Sequence, residues 1–272
     1  MELYFANLDN TPAKCQHVRA RSRDNLRKFL HIIYHVGEKV DYDRDRLIEE
    51  FEKYAGASTS AGEETNALLK KFGFLGSDNS PTDSGEFAGY VIKAKRSDLL
   101  DDILIQHMRG MPTIAYTLDI LRSASQSLSA EEIHERMITI SDTSSTSKEN
   151  SVRNALHLID DFKLLNVDQS DDEKKWKLIT RDQAVPESIP YGVYLLGQNH
   201  QTLEAPYLRQ RLPRLVNCSD EGTEQLLRQT RDRYSLFTYG TMGDSARTNP
   251  FGGVFDIQVG NIGPNDLQDT LL

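Results

Sequence analysis

His31 and His35 stand four residues apart, a spacing that on a helix holds zinc when a third ligand converges. Ile32-Ile33-Tyr34 lies between them and no glutamate adjoins His31, so a metalloprotease site is not expected; the pair reads as a helix surface with histidines packed at its edge. Asp160-Asp161 followed by Glu173-Lys174-Lys175 imitates the Asp…Glu-x-Lys layout of a metal-dependent nuclease, whose carboxylates must project from adjacent strands to share Mg²⁺. Here the aspartates fall on a helical period and the glutamate on a polar hairpin tip, which predicts a solvated hairpin instead. Asp256-Ile257-Gln258 lacks a lysine where a nuclease needs one, and Gly252-Gly253 lacks the Lys-Ser/Thr of a phosphate-cradling loop. No Ser or Cys sits in a nucleophile elbow. Cys15 and Cys218, about 200 residues apart, read as two reduced thiols. The chain is therefore expected to have no catalytic residue, no metal and no cofactor, with a nuclease built around Asp256 only as a third reading.

Arginines offer a different chemistry. Arg211 and Arg214 stand at i, i+3, as do Arg228 and Arg231, so each pair shares a helix face. Tyr207, Tyr234 and Tyr239 are suited to stack on bases or on guanidinium groups, which makes these four arginines secondary candidates for nucleic-acid contact. Glu204, Asp220, Glu224 and Asp232 interleave with them and favour a solvated face of surface ion pairs.

The elements that must position these residues follow from apolar spacing. Leu26, Phe29, Leu30 and Ile33 fall at i, i+3, i+4 and i+7, an amphipathic helix that Gly37 stops. A second helix from about Asp43 carries Leu47, Ile48 and Phe51; a third, after Gly56 and Ser58-Thr59-Ser60, carries Ala67, Leu68, Leu69 and Phe72. The third helix ends at Gly73 and passes into an apolar pair, a polar turn and a helix capped by Thr82 that runs to about Lys95. Leu99, Leu100, Ile103 and Leu104 form a linking helix, ended by Gly110 and Pro112.

The order then recurs. Ile114, Thr117, Leu118 and Leu121 mark a helix, and the capping box Ser129-Ala130-Glu131-Glu132 opens another that buries Ile133 and Met137. After a polar break comes a third helix with Val152, Ala155, Leu156, Ile159 and Phe162 on one side. Leu164–Val167 and Trp176–Ile179 then flank a polar hairpin tip. Residues 158–165 laid over 68–75 agree in apolar/polar pattern at seven of eight places, with Gly73 against Lys163 as the exception; this is a repeat of architecture. Beyond Pro186, helices at 206–216 and 221–234 and a strand at 254–259 are expected in a loop-rich region. The resulting division is an arm (1–22), a first module (23–96), a linker helix (97–113), a second module (114–182) and a C-terminal region (183–272).

Composition limits the function. With 272 residues, 38% hydrophobic and 27% charged, the chain can bury real cores. No apolar run approaches the roughly 20 residues of a membrane span, and the start Met1-Glu2-Leu3-Tyr4 has no basic region of a signal peptide. A soluble cytoplasmic protein without membrane partners is expected. The net charge of −9 opposes nonspecific attraction to nucleic acid or anionic membrane, leaving only a local basic face to attract either.

In this order of elements the chain resembles the winged helix-turn-helix superfamily. Residues 114–181 show helix, capped helix, polar turn, helix and two-stranded wing; residues 26–95 show the same with a shorter wing and a Thr82-Asp83-Ser84-Gly85 helix start similar to that following the wing in many small transcriptional regulators. The resemblance covers about half the chain and rests on pattern, not on a signature motif. It implies a mainly α fold with small β-hairpins: tandem winged-helix modules joined by a helical linker, plus the loop-rich C-terminal region. It also implies a third helix in the major groove of double-stranded DNA, with the wing on backbone or minor groove. Carried onto the second module, the DNA contacts are Ser147, Lys148, Asn150, Ser151, Arg153 and Asn154 on the helix and Lys174, Lys175 and Lys177 in the wing. In the first module Thr65, Asn66, Lys70 and Lys71 are secondary donors behind Glu63 and Glu64, which face phosphate unfavourably. The expected function is a DNA-binding protein, either a transcriptional regulator or the recognition subunit of a larger DNA-acting complex, with a protein partner or a second copy of the chain beside the DNA. The alternative is a non-catalytic protein–protein adapter, favoured by ten Lys or Arg against sixteen Asp or Glu in residues 97–182 and by Asp171-Asp172-Glu173 at the wing tip.

Overall fold

The computed structural model describes residues 2–5, 8, 15, 16, 18, 22–141, 149–169, 174–241 and 249–272; the fold is mainly helical with small antiparallel sheets. Helix α1 (Arg23–Val36) starts where the Ser22 hydroxyl accepts the Asn25 N–H at 3.1 Å, and it buries Leu26, Phe29, Leu30, Ile32 and Ile33. Helix α2 (Arg44–Ala55) is capped by Asp43 and helix α3 (Thr59–Lys71) by Ser58. The three pack on one another, with the Phe29 and Phe51 rings 5.1 Å apart.

The end of α3 is closed by two backbone bonds, Gly73 N–H to Lys70 O and Phe74 N–H to Leu69 O, both 3.0 Å. Gly73 takes φ 77, the left-handed conformation such a helix end requires. Leu75 then bridges Pro81, and Thr82 closes the short hairpin. Its N–H donates to Phe74 O at 3.0 Å, its hydroxyl donates to Gly73 O at 2.6 Å, and the same hydroxyl accepts the Gly85 N–H at 3.3 Å, starting helix α4 (Asp83–Lys93). A Cβ on Gly85 would lie 2.2 Å from Phe74 O, so only glycine lets this first turn seat on the hairpin.

Helix α5 (Ser97–His107) leads through a 3-10 turn, Met108–Gly110, into helix α6 (Pro112–Ser123). All ten residues from Pro112 to Leu121 are buried, because α6 is surrounded. Helices α7 (Ala130–Ile140) and α8 (Asn150–Asp161) and a sheet pack against it. In that sheet β1 (Leu128–Ser129), β2 (Leu165–Asp168) and β3 (Lys175–Leu178) run antiparallel in the order β1-β3-β2, with Leu128 opposite Trp176 and Asn166 opposite Lys177. The capping box at Ser129 and Glu132 forms as expected. Helix α8 ends as α3 does: Lys163 takes φ 59, its N–H reaches Asp160 O, and the Leu164 N–H reaches Ile159 O. Inside this core Arg109 and Asp119, each 2% exposed, pair through two bonds of 2.8 and 3.1 Å.

The chain forms two compact units: residues 1–85 with 107–179, and residues 86–106 with 180–272. Within residues 97–113, read from sequence as a linker helix, Leu99, Leu100, Ile103, Leu104, Met108 and Met111 are buried. In the second unit helix α9 (Ser188–Gly197) packs against helices α10 (Ala205–Leu215) and α11 (Asp220–Arg231), and strands β4 (Thr202–Glu204), β5 (Thr238–Gly240) and β6 (Asp256–Gln258) pair antiparallel in the order β4-β6-β5. Helix α12 (Pro264–Leu271) follows. Polar bonds tie the two segments of this unit. Asp102 accepts from Arg181 and from the Val185 N–H, Gln106 donates to Ser188 O at 2.8 Å, and Phe87 stacks on Tyr191. Among the described residues no helix is long and apolar enough to cross a membrane.

Candidate functional site

Helix α8 presents Asn150, Arg153, His157 and Asp161 outward, one stripe of the cylinder. Ser151 and Asn154, expected to face outward, are turned inward at 7% and 5% exposure. The reason is geometric: they lie beside Val152, Ala155, Leu158 and Ile159 on the face that packs into the core. Asn154 is satisfied there by a part of the expected arm, donating its amide to Val18 O at 2.6 Å, and Val18 itself is fully buried. Phe5 is buried too, and the Gln16 N–H donates to Thr113 Oγ1 at 2.8 Å. Ser147 and Lys148 lie outside the described residues, as does most of the wing tip, residues 170–173.

Arg153 is exposed but not free: Nε and Nη2 both reach Glu149 Oε1, at 2.7 and 2.6 Å. At the foot of α8 a shallow hollow of about 510 Å³ is lined by Arg23, His157, Asp160, Asp161 and Lys163. In the β2–β3 hairpin, β3 alternates: Trp176 and Leu178 are buried, while Lys177 and the preceding Lys174 are exposed. Lys175 is half-buried and stands opposite Asp168.

The secondary candidates fare differently. Thr65 and Asn66 are buried on α3, which removes both as surface donors; Thr65 bonds back to Ala61 O at 2.7 Å, and Asn66 Nδ2 finds no partner among the described residues. Lys70 donates to Ser77 O at 2.8 Å across the short hairpin, and Lys71 is exposed. In the second unit Arg211 lies over Tyr207 at 4.3 Å and Arg214 is half-buried. Arg228 is exposed with Glu224 at 3.6 Å. Arg231 does structural work, donating to Gly253 O at 2.9 Å and pairing with Asp232.

Sequence reasoning missed a buried polar cluster in this unit. Glu187 accepts from Tyr234 at 3.0 Å and from Arg96 at 3.3 Å. Burial alone would raise the Glu187 carboxyl, but bonds from its own N–H, Tyr234 and Arg96 outweigh it and hold the group below its usual range. Burial, and then the Glu187 carboxylate, push the Tyr234 phenol up to about 12. The cluster is fully paired and serves to join residues 86–106 to 180–272. The only sequence signal was the isolated Glu187 ahead of an apolar run.

His31 and His35 sit ring to ring at 4.1 Å, with Tyr54 stacked on His31; burial first, then His35, lowers the His31 pKa. No group of three His, Cys, Asp or Glu able to hold a metal ion occurs among the described residues. No protein-family model matches the chain, and neither a curated protein nor a solved structure is detectably similar to it.

Proposed function

We propose that the chain is a DNA-binding protein built on two winged-helix modules in tandem, the second of which docks on duplex DNA through the outer stripe of α8 and its wing. The observation carrying this reading is the path from α6 through β1, α7 and α8 into the β2–β3 hairpin, with β1 pairing on β3, which sets a cation-bearing ribbon immediately after an exposed helix face. Such a helix fits the major groove, and such a ribbon reaches the phosphates beside it. The first module supports the tandem reading through the matching closure of α3 and α8. It adds no contact on which the proposal relies: Thr65 and Asn66 face inward, and the exposed Glu63 opposes phosphate near Lys71.

Arg153 is available despite its partner. An exposed i, i+4 ion pair is worth only about 0.3–0.5 kcal/mol, so a phosphate can displace Glu149. The measurement is fluorescence anisotropy of a labelled duplex at low salt. Arg153→Glu with Lys177→Glu is expected to weaken binding more than about tenfold by reversing two phosphate contacts. Unchanged affinity, or none in the parent protein, refutes the reading. A protein-binding adapter is the second reading, favoured by Glu149 holding Arg153 and by Asp160 and Asp161 at the helix foot. It predicts no salt-dependent duplex binding at all.

A further inference from the structure

We infer that the second module, if it binds DNA as proposed above, grips the phosphate backbone without reading base sequence. Base discrimination needs paired donors and acceptors at base edges, above all Asn or Gln on adenine and a free Arg fork on guanine. Among the described residues of α8, Asn154 spends its amide donor on Val18 O inside the core, and Ser151 is buried beside it. The Arg153 fork is half occupied by Glu149 through two of its nitrogens. Further along the same stripe come His157, Asp160 and Asp161, and the two carboxylates offset Arg23 and Lys163 in the same hollow, so the second half of the helix offers phosphate no net attraction.

The wing has the opposite character. Lys174 and Lys177 are exposed, and Asn166 rather than a carboxylate stands opposite Lys177. A lysine ammonium is a compact charge without a planar fork, suited to phosphate and indifferent to the base behind it. Among the described residues Arg153, Lys174 and Lys177 thus supply three backbone contacts, and Asn150 and His157 are what the outer stripe leaves for a base edge.

The test uses the full chain and two labelled duplexes of about 20 bp, one of random sequence and one selected for binding to this protein. The two are expected to bind within about fivefold of each other, since one read base pair is worth at least that much. Three contacts predict a salt slope of about −2.7, a loss of about 40-fold between about 50 and about 200 mM salt. Lys174→Gln with Lys177→Gln should weaken both duplexes equally and reduce the slope to about −1, whereas Asn150→Ala should leave both unchanged. A selected sequence bound more than about fivefold tighter, or an affinity indifferent to salt, overturns this inference while DNA binding stands. Binding of neither duplex at about 50 mM salt overturns the DNA reading itself, and this inference with it.

Discussion

Twice within one compact unit the chain turns from helix into hairpin, at Phe72–Leu75 and at Phe162–Leu165, with matching hydrogen bonds but different residues at the critical turn. Gly73 and Lys163 both adopt a left-handed backbone, and the residues after them both reach back five positions, Phe74 to Leu69 and Leu164 to Ile159. The returning strands also bond alike, Thr82 N–H to Phe74 O and Ile179 N–H to Leu164 O. What differs is the length between. The first hairpin closes at once, and the helix start at Thr82 seals it. The second extends into two four-residue strands and gains β1 as a third. The closure is thus set by backbone bonding that tolerates either residue, while hairpin length decides which of the two turns projects a ribbon.

The comparison extends to what each copy buries. α1 turns only Leu, Phe and Ile into its core, whereas α6 turns Asp119 inward against Arg109. Asp119→Ala should therefore cost about 3–5 kcal/mol in chemical denaturation by stranding a buried guanidinium, and Arg109→Met with Asp119→Leu should recover most of it. If Asp119→Ala alone is harmless, the two cores do not differ as described. Phe72→Ala and Phe162→Ala should each cost about 3–4 kcal/mol, because both rings are buried at equivalent helix ends; a large difference between them would break the equivalence.

A pH effect is expected at the first of the two helix ends. His107, fully buried with its ring tilted against Phe74 at 4.1 Å, donates from Nδ1 to Phe72 O, since a carbonyl can only accept. Burial lowers its pKa from 6.5 to about 3, against the smaller opposing effect of that bond. The folded state therefore binds fewer protons than the unfolded one between these values. Its contribution is complete above pH 6.5 and is lost as the pH falls toward 3, by up to about 1.4 kcal/mol per unit. Melting curves across that range should show the slope in the parent protein and a shallower one in His107→Gln. The smallest effect is at the turn itself: Gly73→Ala should cost about 1 kcal/mol, and Lys163→Gly should gain somewhat less, as the left-handed backbone favours glycine in both. Opposite signs in paired melting experiments are the expected outcome.

Much of this was legible in advance. The caps at Thr82 and Ser129, the ends of α3 and α8 and the hairpins after them follow from local residue chemistry. Helix α9 was not, because Ser188-Ile189-Pro190-Tyr191-Gly192-Val193-Tyr194-Leu195-Leu196-Gly197 is apolar all round and interrupted by proline and glycine, leaving no helical stripe to detect. The candidate site was half legible. Polar residue types at the start of α8 were evident, but type does not reveal direction once a core has a place for a polar group.

Apolar spacing and capping residues by themselves determined where α1 to α3 and α6 to α8 run and where α3 and α8 turn into hairpins, since those depend on neighbours a few positions away. Only the tertiary structure decided that Asn154 and Ser151 face inward, that β1 pairs with β3, and that residues 86–106 pack with 180–272. The physical reason is distance along the chain: the carbonyl that makes burial of Asn154 tolerable belongs to Val18, 136 residues earlier, and no local pattern records such a partner.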